Sequence, residues 1–492
     1  MAASLIGQDL LGLELEMIPV NLSDGSLHVV DDAYFRALNA LRGGADEEKV
    51  LEGHVVALSG PRGVTGIDNG FALLETAFAP LNACPGVMAE LEALVARELS
   101  EISQVLKGRG AALVNLARHP DAPTDHAAWR RLKAPRSIYD YLVHDRGWTH
   151  AAGFDSQAQN GPTTSIGPGQ VVAALNMLLR AGPAFIALFA NSPFAQGRAT
   201  GLLESRMTLW ERVTATSRVS GDRAVVGLPD APFRDLADYF TWTFGRGRAM
   251  LALPPGTGPY KGEGGLVRVV GDPCFLDFLA GGPWQAHAIG PGGADREKCQ
   301  EVSPQLAHVD ALQWSNFLDF RIRYALTGAE EGPGAFLDAL RKPGEMEAFF
   351  SEKASSLYLE NRVAGACFSE SRSKLDPESP IRRSMPLAAS ALQWGLIKNL
   401  DRAAATLEGG CWTDLERDRE AAIHVGLADP AVKKRVETVL RLAEEGLPEE
   451  DRWALSYAWD VWSTGRSNAD RALETVASDG IVSLIPARLL VD

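Results

Sequence analysis

The sequence lacks an excess of basic residues, closely paired cysteines and any long uninterrupted apolar run. Lys and Arg number 48 against 63 Asp and Glu, a formal charge of −15, which argues against a phosphate backbone or an anionic membrane as the main partner. Neither nucleic acid nor membrane is therefore expected, and small polar ligands with metal cations suit the charge better. The five cysteines, Cys84, Cys274, Cys299, Cys367 and Cys411, are scattered without the spacing of a zinc site or a redox pair, so reduced thiols are expected. No stretch reaches about 18 uninterrupted apolar residues, and the opening "MAASLIGQDLLGLELEM" has neither the basic start nor the apolar run of a secretory leader. The cytoplasm is the expected location.

Common catalytic motifs are missing too. "GPRGVTG" lacks the Lys-Ser/Thr ending of a Walker loop, and "GPGGAD" is only a glycine cluster. No G-x-S-x-G elbow and no H-E-x-x-H helix occurs, and the nine histidines show no ligand-like spacing. A nucleophilic hydrolase and a zinc protease therefore have no local support.

What is present is a long globular chain. Its 492 residues are 46% hydrophobic, with 48 Gly and 28 Pro, enough for a large core and many loops. A first strand is expected at "GLELEM", then a helix from about Asp31 and a hairpin-like pair of apolar runs joined by a Gly-rich turn. An amphipathic helix follows, opened by Pro85, and then a buried strand ending at His119-Pro120. "PGQVVAALNMLLRAGPAFIALFANSPF" predicts a long apolar helix interrupted near Gly182-Pro183 and too broken to be a membrane span. Short strands and helices mix with Gly/Pro loops such as "LPPGTGPYKGEGG" from about 213 to 345. From about Pro386 onward good helix formers dominate. This composition shift divides the chain into residues 1–385, the expected catalytic domain, and a helical region, 386–492, expected to pack on it or to be semi-independent.

The acids carry the chemistry. Glu14 and Glu16 sit at i and i+2 of the first strand, so both carboxylates leave the same face. Either this is an edge strand with a solvated acidic face, or the pair shares a cation or a proton. Asp68 and Glu75 follow in an apolar setting after the Gly-rich turn. In "SSLYLENRVAG", Glu360 and Arg362 are again i and i+2, a spacing that fits either a salt bridge across a sheet surface or a catalytic pair. Several carboxylates around hard cations with arginine beside them are what phosphoryl transfer from ATP requires. In "LFANSPFAQGRATGLLESRMTLWERV", Asn191 and Ser192 offer hydrogen bonds at a helix end, while Arg198 and Arg206 either grip carboxylates or phosphates or form an ordinary surface pair.

This run, with the G-x-E-x-E strand, the Asp68 to Glu75 spacing, His119-Pro120, "YLENR" and "AASALQWGLI", resembles the glutamate-cysteine ligase family in its proteobacterial and plant-like members. The resemblance covers most of residues 10 to 400, is weaker between about 213 and 345, and is weakest in the final ninety residues. It implies an α+β, glutamine-synthetase-like fold: a curved, mainly antiparallel sheet forming a funnel, with helices outside and a helical C-terminal region. It places magnesium ligands on Glu14, Glu16, Asp68, Glu75 and Glu360, with two or three Mg²⁺ ions. It also makes Arg362 with Glu360 the catalytic pair and gives Arg206 a substrate carboxylate, with Asn191, Ser192 and Arg198 as further substrate contacts. Gln157 and Gln159 fall where relatives carry a metal or nucleotide contact, although "GPTT" departs from the usual pattern there.

The activity so implied is ATP-dependent ligation of the glutamate γ-carboxylate to the amine of cysteine through a γ-glutamyl phosphate, a step of glutathione biosynthesis. ATP is the co-substrate. "VAGACFSES" replaces the family's G-A-D after Arg362, which keeps open a γ-glutamyl ligase acting on a different amine. A non-catalytic ATP- or amino-acid-binding regulator is the alternative of another class.

Overall fold

The computed structural model describes residues 5–149, 153, 156–245, 250–258, 265–289, 295–370, 375–409 and 411–490. Parts of "FDSQAQNGPTTSIG", "LPPGTGPYKGEGG", "GPGGAD" and the end of "VAGACFSES" lie outside the described residues.

Strand β1 (Leu10–Asn21) organises the molecule. Its leucines alternate with Gly12, Glu14 and Glu16, and Leu11, Leu13 and Leu15 are fully buried on one face. The period-2 pattern thereby sends the two glutamates to the other face. Helix α1 (Asp32–Leu41) begins where expected, with the Asp31 carboxylate accepting from Tyr34 N, an N-cap that satisfies an orphan backbone donor. Next come β2 (Glu47–Leu51), β3 (His54–Gly60), β4 (Gly63–Ile67) and β5 (Leu74–Phe78). The β3–β4 turn is closed by Gly63, whose positive φ of 129° and contact with the backbone of Ala77 leave no room for a side chain.

Helix α2 (Val87–Gly108) leads to β6 (Ala111–Val114), and α3 (Ser137–His144) to β7 (Asn160–Ser165). The apolar α4 (Val171–Leu188) is one continuous helix with Pro183 inside it, so the interruption expected at Gly182-Pro183 is not found. Fifteen of its residues are buried, and burial on all sides overrides the lost hydrogen bond at proline. By length and composition alone α4 is apolar enough to cross a membrane, yet 83% of it is covered by the rest of the fold.

Helix α5 (Leu209–Thr214) follows the "ANSPF" run, and β8 (Phe320–Leu326) and β9 (Ala354–Asn361) form the last long hairpin of the sheet. The strand order is β8-β9-β7-β1-β5-β4-β3-β2, with β6 also pairing to β1. Every pairing recorded in this sheet is antiparallel. β1 is thus a central strand, and the edge-strand reading of its acids falls away. The large antiparallel sheet, the outer helices and the helical C-terminal region are the α+β architecture expected from the sequence.

Helices α6 (Ala388–Lys398), α7 (Trp412–His424) and α8 (Pro430–Gly446) continue the chain. α7 and α8 pack on α4, and α6 lies on β7 and α8. Gln393, fully buried on α6, donates from Nε2 to Thr164 Oγ1 at 3.1 Å and to the Leu359 carbonyl at 3.2 Å. One hydrophobic core runs from Leu11 of β1 through α4 to Val439 of α8.

Candidate active site

One cavity of about 380 Å³ opens on the face of the sheet that carries the glutamates. Glu14, Glu16, Asp68, Glu75 and Glu360 all line it, as do Arg206, Arg362, Gln157 and Gln159. Register explains the convergence. Glu16 is directly opposite Glu75 across the β1–β5 pair, and Glu14 follows two residues back on the same face. Asp68 comes immediately after β4. Like charges opposite one another in a sheet are destabilising, so this face is costly unless something cationic answers it.

The carboxyls register that cost. Burial first, and then the neighbouring Glu360, raise Glu14 from its ordinary 4.5 to about 7. Glu16 is pushed well above the usual carboxylate range by burial, then by Asp68 and Glu75. Backbone contacts hold Glu16 in place: Gln159 N donates to its Oε2 at 2.9 Å, and Glu16 N donates to the Gln159 carbonyl at 2.9 Å. The Asp68 loop is tied to the start of α3, since Arg136 donates to the Asp68 carbonyl and Tyr139 OH donates to Asn69 Oδ1 at 2.9 Å.

The other wall is basic. Arg321 and Arg323 of β8 line the cavity beside Arg362, and all three guanidiniums converge on Glu360. Arg321 grips it with two bonds, of 3.0 and 2.9 Å, while Arg323 lies at 3.3 Å and Arg362 donates at 3.1 Å. Burial alone would raise the Glu360 carboxyl, but the three arginines hold it well below the usual range. Glu360, expected among the metal ligands, also gathers the three arginines as their shared counter-charge.

A third part of the lining is aromatic. Trp148, Trp210, Trp314 and Phe317 meet there, with Trp210 and Phe317 stacked at 3.9 Å between ring centroids. The Arg362 guanidinium lies over both rings, 5.7 Å from Trp210 and 5.9 Å from Phe317, within cation–π range.

Not every expected residue reaches the cavity. Asn191 is fully buried and donates to the carbonyls of Ala366 at 2.8 Å and Asn115 at 3.3 Å. Ser192 Oγ accepts from Arg206 N at 3.0 Å, and Glu204 accepts from Asn191 N at 2.7 Å and from Arg206 Nε at 3.0 Å. These contacts fold the "ANSPF" and "LLESR" segments together and aim Arg206 at the cavity. Asn191 and Ser192 thus support an arginine rather than line the site. Arg198 stands exposed on a two-residue-per-strand hairpin, Phe194–Ala195 with Arg198–Ala199, outside the lining. Arg321 and Arg323 were missed by sequence reasoning, although "DFRIRYAL" shows the same i, i+2 spacing that singled out the glutamates.

Among the described residues, no three Asp, Glu, His or Cys side chains converge on one ligating point. The chemistry nonetheless fits a hard cation. All candidate donors are oxygens, and buried Gln157 Oε1 finds no hydrogen-bond donor among the described residues, while its Nε2 donates to the Gly153 carbonyl at 3.1 Å.

Residues 10–245 match the family model of glutamate-cysteine ligase family 2. Over that segment the chain is similar to the glutamate-cysteine ligases. That segment holds Glu14, Glu16, Asp68, Glu75 and Arg206, whereas Arg321, Arg323, Glu360 and Arg362 lie beyond it. A crystal structure of a glutamate-cysteine ligase from Francisella tularensis in complex with AMP shares the fold, with a TM-score of 0.51 at 12% identity over 97% of this chain and 88% of that one. A bifunctional glutathione synthetase from Pasteurella multocida superposes with a TM-score of 0.44 at 11% identity, over 98% of this chain and 52% of that one. A search of curated proteins finds no match.

Proposed function

We propose that the protein is an ATP-dependent carboxylate-amine ligase that activates the γ-carboxylate of glutamate as an acyl phosphate, which an amine then attacks. One observation carries this reading: four carboxylates on β1, β5 and the loop after β4, and three arginines on β8 and just past β9, face each other across a cavity, in a chain whose first half matches a ligase family. Glu14, Glu16, Asp68 and Glu75, with Gln157, would hold Mg²⁺, which when bound neutralises and orients the phosphates of ATP. Arg362, on aromatic faces and half-buried, meets the charge that develops on the transferring phosphoryl, and Arg321 and Arg323 reinforce it. Glu360 keeps the three guanidiniums from repelling one another before substrate arrives. Arg206 takes a glutamate carboxylate. Holding both substrates in one cavity supplies the entropic advantage, and no protein nucleophile is needed. All cavity-lining residues lie before residue 385, which supports 1–385 as the catalytic unit and 386–492 as its helical support.

Cysteine is the first acceptor to test. The aromatic wall favours a second reading, in which the amine carries a larger apolar or aromatic group, since four rings offer far more surface than a thiol side chain covers. Incubation with ATP, Mg²⁺ and glutamate labelled with ¹⁸O in the γ-carboxylate should transfer label to inorganic phosphate when an accepted amine is present. Unlabelled phosphate alongside product rules out the acyl phosphate. No ATP turnover with any amine, cysteine included, returns the protein to a binding role, and turnover with aromatic amines but not cysteine selects the second reading.

A further inference from the structure

We propose that Arg419, from the C-terminal helical region, is a positioning residue that fixes the arginine wall of the cavity through Asp319. The inference rests on the ligase reading for its catalytic consequence, but its structural half stands alone.

Asp319 occupies a junction. It directly precedes β8, which carries Arg321 and Arg323, and its carbonyl accepts from the backbone N of Arg362 at 3.0 Å, just past the end of β9. Phe320 pairs with Asn361 one step further in. One residue therefore anchors the common end of both strands from which all three guanidiniums project. Its own N–H donates to the Gly227 carbonyl at 2.8 Å, and Phe317–Leu318 pair in parallel with Val226–Gly227. The same junction thus also seats Phe317, on which the Arg362 guanidinium rests.

The Asp319 side chain points away from the cavity and is held by α7. Arg419 Nε donates to Oδ2 at 2.7 Å and Nη2 to Oδ1 at 3.0 Å, the bidentate fork that only arginine offers. Asp319 is 3% and Arg419 6% exposed. Gly227 admits the guanidinium closely: a Cβ there would lie 3.4 Å from Nη2, and its φ of +76° already favours glycine. Asp319 and Arg419 both line a small second cavity directly behind Arg206, Trp210 and Arg362, so slack in the pair has space to propagate toward Arg362. Buried ion pairs add little net stability over well-fitted neutral groups, which leaves geometric specification as the role of this one.

Removing one partner strands a buried charge and costs fold, so the principal variant is the double substitution Asp319→Asn with Arg419→Gln. Its kcat should fall about tenfold while KM for ATP and glutamate stays within about twofold, because the brace acts on arginines that serve the transition state. The Mg²⁺-induced rise in Tm should persist, since the acidic wall sits on other strands. Amide hydrogen exchange should accelerate at residues 319–323 and 359–363 and stay unchanged at 13–17. In an Arg362→Lys background the further loss should shrink below about threefold, as expected of groups acting in series. Arg419→Lys keeps the charge and thus the fold, and carries the same test if the double variant does not fold. Unaltered exchange, an unchanged kcat, or a full additional loss in the Arg362→Lys background would each overturn the proposal. If the wild-type chain turns over no ATP, the ligase reading fails while the exchange measurement still decides whether Arg419 braces these strands.

Discussion

The two charged walls of the cavity are built by the same device and left in opposite states. On one side Glu14 and Glu16 alternate along β1, and on the other Arg321 and Arg323 alternate along β8, each pair facing inward through the period of a strand. The arginines have an answer within the protein, because Glu360 receives three guanidiniums within 3.3 Å. The acids instead crowd one another: Glu16 faces Glu75 across the pairing, and burial with mutual repulsion raises Glu14 and Glu16. A preorganised wall is ready to meet developing charge, whereas a strained wall awaits a ligand. In the ligase reading proposed above, the contrast would put the metal at β1, β5 and the Asp68 loop and the phosphoryl group at β8 and β9.

The sharpest way to break the contrast is to relieve the acidic wall. Glu14→Gln and Glu16→Gln should each cut ligase turnover about a hundredfold or more, the loss expected when a metal worth several kcal/mol is displaced. At pH 8 without metal both variants should melt higher than wild type, because a like charge has left the face. Near-normal turnover at saturating Mg²⁺ would make the acids bystanders.

On the basic wall, Arg362→Lys should lower kcat about tenfold with little change in KM for ATP, since a point charge cannot reproduce the planar fork. An unchanged kcat with raised KM for glutamate would move Arg362 to ground-state binding. Arg206 lies between the walls, its Nη1 donating to the Arg362 carbonyl at 3.0 Å. Arg206→Ala should raise KM for glutamate about tenfold and that for ATP far less, the loss of one charge-assisted carboxylate contact. An effect confined to ATP would detach Arg206 from glutamate.

The acidic wall was legible in the sequence because its signal is local. "LELE" fixes which way two carboxylates point once the segment is a strand, and Asp68 and Glu75 follow within one hairpin. The "RIR" pair carries the same local signal but lies where the family resemblance is weak and arginine is usually a surface residue. The aromatic wall had no such signal: Trp148, Trp210, Trp314 and Phe317 come from separate segments that only the tertiary fold unites. Asn191, Ser192 and Arg198 show the converse limit. A distinctive motif marked the right loop, but which of its polar groups turns inward depends on partners such as Glu204 and Ala366 that are far away or unremarkable in the chain. Pro183 misled for a related reason, because burial of α4 outweighs the local preference for a break.

The smallest expected effect sharpens the contrast without any substitution. Glu14 rises from 4.5 to about 7 on folding, and Glu16 rises as well. Between the unfolded and folded values the native chain binds more protons than the unfolded one, so these groups make stability fall as pH increases. The metal-free protein should therefore hold Glu14's full contribution below about pH 4.5 and lose it as pH passes through about 7, with Glu16 acting in the same direction, a change of a few degrees in Tm. Mg²⁺ must displace those protons to bind, so its stabilisation should run the other way, small near pH 6 and larger near pH 8. The Glu360 carboxyl contributes nothing to this trend, because its arginine partners hold it well below the window. Thermal melts from about pH 5 to 8, with and without Mg²⁺, check the sign. Glu14→Gln should flatten both curves and Arg362→Lys neither, and a metal effect independent of pH would show that the raised carboxyls are not where the cation binds.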